Sequence, residues 1–315
     1  DRETLTCPAG PTVPGGSRTT NTEPGSFRRF VKEAWHVIEP EVPYLHNWHI
    51  DAICDHLEAI TRGVMLDEEK YYNRLLINVP PGFSKSLLTS VFFPSWCWAN
   101  DPHMRFLCAS HSQNLAIRDS TKMRRLITSE WYQELWGDRV KLTGDQNAKT
   151  KFENDRLGFR EAVAAGSITG SRGDIVIIDD PHSVESASSE AMRSTTKEWF
   201  LEAVPTRLNN PAESAIIVIM QRLHEEDVSG IILDKELGYE HLMLPMRYEV
   251  DRKCYTSIGF EDPRDEEGER AFLRQLGCRD PDVIRLTARE RYRSFAVLAD
   301  DRERAAAMAD QYEAE

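Results

Sequence analysis

Short apolar runs recur along the middle of the chain, and most of them are six or seven residues long. They are rich in valine, isoleucine and leucine, show little polar alternation, and are bounded by polar stretches that contain glycine or proline. Such runs are typical of strands buried on both faces of a parallel sheet. The sequence therefore predicts strands over residues 74–79, 104–110, 174–180 and 214–220, and a further short strand over 241–244.

Helical periodicity fills the intervals between these runs. Phe30, Ala34, Val37 and Ile38 share one helical face, and the pattern stops at Pro40. The same spacing predicts further helices over 48–60, from 86 onward, and over 111–128, 186–203 and 225–236, with short strands and turns over 140–165. Strands that alternate with helices predict an α/β fold with a mostly parallel central sheet flanked by helices.

The composition changes towards both ends of the chain. Residues 1–26 are rich in Pro, Gly, Ser and Thr, which predicts a flexible N-terminal arm or a segment that orders on a partner. Residues 249–315 are crowded with Asp, Glu and Arg and predict a polar linker with a helical extension. The predicted domain lies between them, over residues 27–248.

Charge and cysteine usage narrow the class of protein. The 39 Lys and Arg residues are outnumbered by 52 Asp and Glu residues, and the net charge of −13 argues against a protein that coats nucleic acid by bulk electrostatics. The six cysteines form no CxxC pair, which indicates reduced thiols in a cytosol. No apolar run approaches the ~20 residues of a membrane span, so no membrane association is expected.

The first segment with a chemical signature joins the strand at 74–79 to the next helix. Its sequence VPPGFSKS ends in the pair Lys85-Ser86, at the junction where a P-loop holds nucleotide phosphates. Val79 and Ser84 stand where the usual P-loop pattern has its two glycines, and Gly82 lies between them. Taken alone, the segment is equally compatible with an ordinary strand–turn–helix that exposes a lysine.

The second segment is the strand IVIIDD, which delivers Asp179 and Asp180 at its carboxyl end. In a nucleotide site, the first acid would hold Mg²⁺ and the second would polarise the attacking water. The alternative is a strand that runs into an ordinary Asp-Pro turn. The order of the two segments, Lys85-Ser86 and then the paired acids, favours the nucleotide site.

The third segment, MQRLHE, follows the next strand and places Gln221 and Arg222 where a γ-phosphate can be sensed. His224-Glu225 does not extend to a zinc HExxH motif because position 228 is Val. Acidic residues in the first turn of a helix are the alternative interpretation.

In this order, the three segments resemble the ATPase domain of phage terminase large subunits, which are DNA-packaging motors. The resemblance runs from near Phe30 to the FEDPRDEEGE stretch, and includes FLCASHSQNLAIRDS and GSITGSRGDIVIIDDPHS. It implies a P-loop NTPase of the ASCE class, with a RecA-like sheet, that binds ATP and Mg²⁺.

The resemblance also implies roles for the matching positions. Lys85 and Ser86 match the Walker A pair, Asp179 matches the Walker B carboxylate that shares Mg²⁺ with Ser86, and Asp180 matches the catalytic acid. The other implied nucleotide contacts are the phosphate-loop residues Gly82, Phe83, Ser84 and Leu87, the adenine-contacting segment at Trp48 and His49, and the coupling motif at Gln221 and Arg222. For Trp48 and His49 the alternative is an aromatic helix start that packs on the core.

The family further implies an arginine finger from the same or a neighbouring subunit. Arg172, in the Gly-rich segment before the Walker B strand, is the candidate, and Arg118 and Arg160 are its rivals. The implied partners are double-stranded DNA, a portal protein, a small terminase subunit and further copies of the chain in a pentameric ring, within the host cytoplasm.

Local basic clusters are the expected DNA contacts, since the chain as a whole is acidic. The candidates are Lys122, Arg124 and Arg125 on one helix, and Arg193, Lys197 and Arg207 further on. For each cluster, a solvated helix face is the alternative.

Two other functions stay open on the sequence. One is a non-hydrolysing DNA-docking or assembly subunit with a degenerate nucleotide site, which the replaced glycines favour. The other is a helicase-like DNA translocase, which would carry a second RecA-like lobe. Large terminases normally continue into a nuclease domain, and no DNA cleavage is expected from this polypeptide alone.

Overall fold

The computed structural model describes residues 25–61, 65–67, 70–167, 170–265 and 267–268. The predicted flexible arm therefore lies outside the described residues except for its last two, Gly25 and Ser26. Ser26 accepts a hydrogen bond from the Arg29 amide and so caps the first helix, while the Gly25 carbonyl accepts one from the Trp96 indole. Most of the predicted extension over 249–315 also lies outside the described residues.

The strands fall close to the predicted runs. They are β1 (Met65–Asp67), β2 (Lys70–Tyr71), β3 (Arg74–Asn78), β4 (Phe106–Ser110), β5 (Leu142–Asn147), β6 (Lys151–Asn154), β7 (Phe159–Ala164), β8 (Ile175–Asp179), β9 (Ala215–Met220) and β10 (Glu240–Met243). The five predicted strands correspond to β3, β4, β8, β9 and β10, and the short strands expected over 140–165 are β5 to β7.

The helices occupy the predicted intervals. They are α1 (Phe27–Ile38), α2 (Trp48–Thr61), α3 (Lys85–Leu87), α4 (Phe93–Asn100), α5 (Gln113–Ile127), α6 (Glu130–Trp136), α7 (Val184–Ser188), α8 (Glu190–Glu198) and α9 (Val228–Asp234). A π-helical turn, Leu88–Phe92, joins α3 to α4, and a second one, Trp199–Ala203, extends α8 into the 3-10 turn Val204–Arg207.

Among the described residues, eight strands form one sheet in the order β10-β3-β9-β8-β4-β7-β6-β5. The first six run parallel, and β6 and β5 are antiparallel additions at one end. The predicted α/β architecture with a mostly parallel central sheet is confirmed.

Two apolar clusters cover the two faces of the sheet. Alternation along β8 divides its residues, because Ile175 and Ile177 belong to one cluster, whereas Val176 and Ile178 belong to the other. The first cluster contains the buried sides of α1, α2, α4, α5 and α6, and the second contains the π-helical turn after α8 and the buried side of α9. Burial on both faces explains why the strands have no polar alternation.

The segment after β10 differs from the polar, helical extension that the sequence predicts. Within residues 249–265 the structure has one 3-10 turn (Val250–Arg252) and an isolated bridge between Tyr255 and Glu261. Asp262 is 1% exposed, and Phe260 packs against the larger apolar cluster. This segment therefore packs on the domain, while the predicted boundary at residue 248 stays a prediction.

The described residues contain no helix that is long and apolar enough to cross a membrane. Four of the cysteines, Cys54, Cys97, Cys108 and Cys254, are buried free thiols. They fill core positions beneath the helices, as small apolar side chains do.

Candidate nucleotide site

The candidate site residues meet because neighbouring parallel strands end at the same edge of the sheet. In the register, Asn78 of β3 lies beside Met220 of β9, and Asp179 of β8 lies beside Ile219. The loops that follow β3, β8 and β9 are therefore adjacent at what we call the carboxyl edge, and the opposite edge is the amino edge. Ligands of open α/β sheets bind at the carboxyl ends of the strands.

The loop after β3 reaches its helix through two left-handed residues. Gly82 has φ of 83°, and Ser84 has φ of 56° and ψ of 19°. Ser84 stands where the P-loop pattern has its second glycine, and its backbone keeps a conformation that glycine adopts without a steric penalty. The loop thus retains the left-handed turn although the glycine is replaced, and this turn places Lys85 at the start of α3.

The central contact of the site joins Lys85 to Asp180, the second of the two acids after β8. Lys85 Nζ lies 2.6 Å from Asp180 Oδ2, and the two side chains are 9% and 23% exposed. Both groups are held away from bulk water, where charge–charge attraction is stronger than on an open surface. The sequence-predicted pair is therefore brought into direct contact.

Asp179 lies deeper in the same edge and is 6% exposed. Burial, followed by the neighbouring Asp180 charge, raises the pKa of the Asp179 carboxyl to about 7, although a hydrogen bond from Ser86 and the Lys85 ammonium oppose the shift. Its Oδ1 atom is buried without a hydrogen-bond partner among the described residues. A bound cation would stabilise such a carboxylate as the anion.

The donors at this position fit Mg²⁺. Mg²⁺ in phosphate sites takes one or two oxygen ligands from the protein and fills its other positions with water and phosphate. Asp179 and Ser86 supply such oxygens and already contact each other. Within the described ranges, no three His, Cys, Asp or Glu side chains gather as a metal-binding group.

Asp180 has an unusual backbone, with φ of 44° in a residue that is not glycine. Its amide donates to the Ile219 carbonyl at 2.9 Å, and its Oδ1 accepts from the Gln221 amide at 3.2 Å. The Asp180 carbonyl accepts two hydrogen bonds from His111, one from the backbone amide and one from the ring. The acid is thus fixed by contacts from β9, from the phosphate loop and from the residue after β4.

Trp48 and His49 make different contacts at the start of α2. The His49 ring lies 4.7 Å from the Phe83 ring of the phosphate loop, and burial lowers the pKa of His49 to about 4, so the ring is neutral at pH 7. Trp48 stacks with Phe260 at 6.5 Å, and the Arg264 guanidinium lies 4.8 Å above its ring. His49 therefore adjoins the phosphate loop, whereas Trp48 packs against the segment that follows β10.

The segment after β9, which was predicted to be the coupling motif, folds around a buried carboxylate, Asp227, which is 0% exposed. Asp227 accepts hydrogen bonds from the Leu223, His224 and Gly230 amides and forms an ion pair with Arg222 at 3.1 Å. Arg222 is therefore committed to its own loop in this structure. Gln221 contacts Asp180 at the carboxyl edge through its backbone amide.

The three arginine-finger candidates lie in different places. Arg172 is exposed at the amino edge, where the next residue, Gly173, bonds the Arg207 carbonyl. It precedes Asp179 by seven residues, so at ~3.3 Å per strand residue the two are about 20 Å apart. Arg160 lies on β7, is 0% exposed beneath α5 and is not available to another subunit in this structure. A finger role for Arg172 within its own chain is therefore wrong, and a role in a neighbouring site stays a prediction.

Arg118 lies on α5, the helix that follows β4. It forms a two-point pair with Asp119, at 2.8 and 3.1 Å, and its side chain is 51% exposed. That hydrogen-bonded partner raises the pKa of Arg118, with a smaller contribution from the charge of Asp179.

The second predicted DNA-binding cluster is not one surface. Arg193 is 6% exposed, pairs with Glu226 at 3.2 Å and donates to the Ala187 carbonyl, whereas Arg207 lies at the amino edge. In the first cluster, Lys122 pairs with Glu39 at 2.7 Å and Arg125 is exposed on α5. The prediction that Arg193, Lys197 and Arg207 act together is therefore wrong, while DNA contact by the α5 cluster stays a prediction.

Among solved structures, the crystal structure of the HK97 bacteriophage large terminase matches with a TM-score of 0.50 and 12% sequence identity over 90% of this chain and 52% of that chain. The fold is that of a phage large terminase. The large terminase of a thermophilic bacteriophage, in complex with ADP, also matches, with a TM-score of 0.39 and 11% identity over 70% of this chain and 48% of that chain. No protein-family model and no curated protein matches the sequence.

The structural match confirms the predicted α/β fold and its likeness to phage large terminases. The chain spans about half the length of the two phage terminases that it matches. At 12% identity the likeness concerns the fold, so the roles of individual residues depend on the geometry described above.

Sequence reasoning missed two polar residues of the site, His111 and Asp227. His111 directly follows the predicted strand 104–110, so the rule that singled out Asp179 and Gln221, a polar residue at the carboxyl end of a parallel strand, would also have found it. Asp227 could be recognised only as one acid in a run of three.

Proposed function

We propose that this chain is the ATP-hydrolysing motor subunit of a viral terminase, which drives double-stranded DNA into a procapsid. The observation that carries the proposal is the pair of contacts at the carboxyl edge, Lys85 with Asp180 and Ser86 with Asp179, in a fold shared with the HK97 large terminase. A P-loop ATPase requires these four groups in this order.

The ion pair at the site can be exchanged for contacts with a phosphate group. In this structure Lys85 neutralises Asp180 across 2.6 Å. A phosphate group that enters the loop competes for the Lys85 ammonium, because phosphate oxygens carry more charge than one carboxylate. Asp180 is then released to accept a hydrogen bond from the attacking water, while Lys85 stabilises the charge on the transferred phosphoryl group.

Asp179 and Ser86 would hold Mg²⁺, which neutralises phosphate charge when it is bound. The unpartnered Asp179 Oδ1 supports this assignment, because the fold leaves that oxygen buried without another donor among the described residues. The Ser86 hydroxyl keeps the carboxyl oriented.

A connection to DNA movement would run through the segment after β9. The Gln221 amide donates to Asp180 Oδ1, and the rest of that loop is tied to Asp227. A change in the position of the Asp180 carboxylate would therefore alter the hydrogen bond to this loop directly. The same proposal includes the partners of the motor. They are double-stranded DNA, a portal protein, a small terminase subunit and four further copies of the chain in a ring of five.

The test is ATP hydrolysis with Mg²⁺, with and without linear duplex DNA, over a series of protein concentrations. We expect turnover that DNA stimulates and that rises more than linearly with protein concentration. Lys85→Ala and Asp180→Asn should each lower kcat by about 10²- to 10⁴-fold, the range of a general acid–base group. The matched control is Lys149→Ala, which alters an exposed lysine on the turn between β5 and β6.

A different outcome would favour the second candidate. Nucleotide binding without turnover, under every condition and in the presence of DNA, would indicate a non-hydrolysing assembly subunit. Its sequence support is weaker than the pattern suggests, because Ser84 keeps the left-handed conformation of the glycine that it replaces.

A further inference from the structure

His111 contacts the proposed catalytic acid through the main chain. It is the first residue after β4, and the parallel register of β4 with β8 pairs Ser110 with Asp179. This register places His111 beside Asp180. The His111 amide donates to the Asp180 carbonyl at 3.1 Å, and ring Nδ1 lies 2.9 Å from the same oxygen.

The ring contact fixes the tautomer of His111. A carbonyl oxygen only accepts hydrogen bonds, so ring Nδ1 must carry the proton. Two donors on one carbonyl orient the peptide bond that follows Asp180. That peptide bond belongs to the residue with φ of 44°, a left-handed conformation that side chains other than glycine rarely adopt.

The left-handed conformation in turn sets the direction of the Asp180 side chain. In this conformation, one carboxylate oxygen meets Lys85 at 2.6 Å and the other accepts from the Gln221 amide at 3.2 Å. A relaxed backbone at Asp180 would turn the carboxylate away from at least one of these two partners, which lie on different loops.

We propose that His111 is a positioning residue for Asp180, whose ring N–H holds the acid in the conformation that faces Lys85. The proposal rests on the proposed function, because Asp180 acts in catalysis only if the chain hydrolyses ATP. His111 acts through the Asp180 backbone in this role.

Two substitutions of His111 test the effect of the ring hydrogen bond independently of the loss of the ring itself. In His111→Asn the side-chain amide nitrogen lies near the position of Nδ1, so the bond to the carbonyl can be kept. In His111→Gln the amide reaches the position of Nε2 and loses that bond. His103→Ala is the matched control, because its ring Nδ1 also bonds a carbonyl, that of Arg156 at 2.7 Å, but at the amino end of β4.

The first readout is steady-state kinetics with MgATP. We expect His111→Gln to lower kcat by about 10- to 100-fold, the cost of misplacing a catalytic group by about 1 Å, with KM changed less than about twofold. His111→Asn and His103→Ala should stay within about twofold of the wild-type kcat. Equal loss in the Asn and Gln variants, or no loss in either, would overturn the proposal.

The second readout does not depend on turnover. In crystal structures of the variants, the contact between Lys85 Nζ and Asp180 Oδ2 should persist in His111→Asn and open beyond hydrogen-bond distance in His111→Gln. An intact contact in both would overturn the inference. A wild-type protein without turnover contradicts the proposed function, whereas the crystal structures still decide the role of His111.

Discussion

The acidic residues at the two edges of the central sheet are held in different ways. At the carboxyl edge, Ser84 and Asp180 have left-handed backbones, and Asp179 keeps a buried oxygen without a partner among the described residues. At the amino edge, the carboxylate of Asp174 is used completely, because one oxygen accepts from the Arg105 amide at 2.9 Å and the other from the Asn209 side chain at 2.7 Å. At these positions the carboxyl edge keeps a strained backbone and an unpartnered oxygen, whereas Asp174 has both carboxylate oxygens bonded.

The comparison teaches where this chain places function and where it places stability. Strained backbones and unpaired buried groups persist only where the surrounding structure holds them in place, and they cluster at functional sites. The parallel strands supply that support, because both faces of their sheet are packed against apolar clusters. We therefore expect substitutions at the carboxyl edge to change turnover and those at the amino edge to change stability, with Arg172 as the expected exception.

The largest expected effect on turnover is an exception to this division between the two edges. Arg172 lies at the amino edge, so it can serve catalysis only in the site of a neighbouring copy. We expect Arg172→Ala to lower kcat by about 10³-fold, the lower end for an arginine finger. Mixing Arg172→Ala with Lys85→Ala should restore part of the activity, because the second variant still offers its arginine to the intact P-loop of the first.

The control for this experiment is Arg105→Ala, an exposed arginine on the same edge, which should keep turnover near wild type. Each inactive variant is also assayed alone at the total concentration of the mixture. No recovery on mixing, with both variants assembled to the same size, would contradict a finger supplied between subunits.

Asp174 tests the amino edge itself. Asp174→Ala removes two hydrogen bonds that join the segments preceding β4, β8 and β9, and at about 1 kcal/mol for each bond we expect the free energy of unfolding to fall by about 2 kcal/mol. Urea unfolding measures this change, and Asn209→Ala, which removes one of the two bonds, should cost about half as much. Turnover of folded protein should not change, and a large loss of kcat in Asp174→Ala would contradict the division between the edges.

The sequence predicted the sheet well because buried parallel strands leave a direct signal. Uninterrupted apolar runs end in polar residues, and this pattern located β3, β8 and β9 with the residues that follow them. It also brought Lys85, Ser86, Asp179 and Asp180 together, since a parallel sheet aligns the ends of its strands. Direction along a strand is equally readable, and it would have placed Arg172 on the far edge from the start.

The sequence did not reveal which charged side chains are buried. Arg160 and Arg193 read as surface arginines, but they lie inside, against the Ala116 and Ala187 carbonyls. No local pattern distinguishes a buried arginine from a solvated one on an amphipathic helix or a partly polar strand, because the partner that compensates its charge comes from a distant segment. For His111 the position at the end of a strand could be recognised, but its contact with Asp180 could not, since the two are 69 residues apart.

Ser84 gives the smallest effect and the sharpest test of strain at the carboxyl edge. A left-handed serine costs about 1–2 kcal/mol relative to glycine. Part of this gain is lost in the glycine variant, because glycine increases the entropy of the unfolded chain and so lowers stability by about 0.4–1 kcal/mol. Ser84→Gly should therefore raise the free energy of unfolding by about 0.5–1 kcal/mol in urea titrations. The Ser84 side chain makes no capping hydrogen bond to α3, so Ser84→Ala, which keeps the strain, should stay close to wild type.

A stability gain in Ser84→Ala equal to that in Ser84→Gly would show that the side chain, and not the left-handed backbone, is the source of the cost. If the glycine variant is more stable and keeps its turnover, the strain at Ser84 is a consequence of the residue that replaced glycine, and the strain that serves catalysis is confined to Asp180.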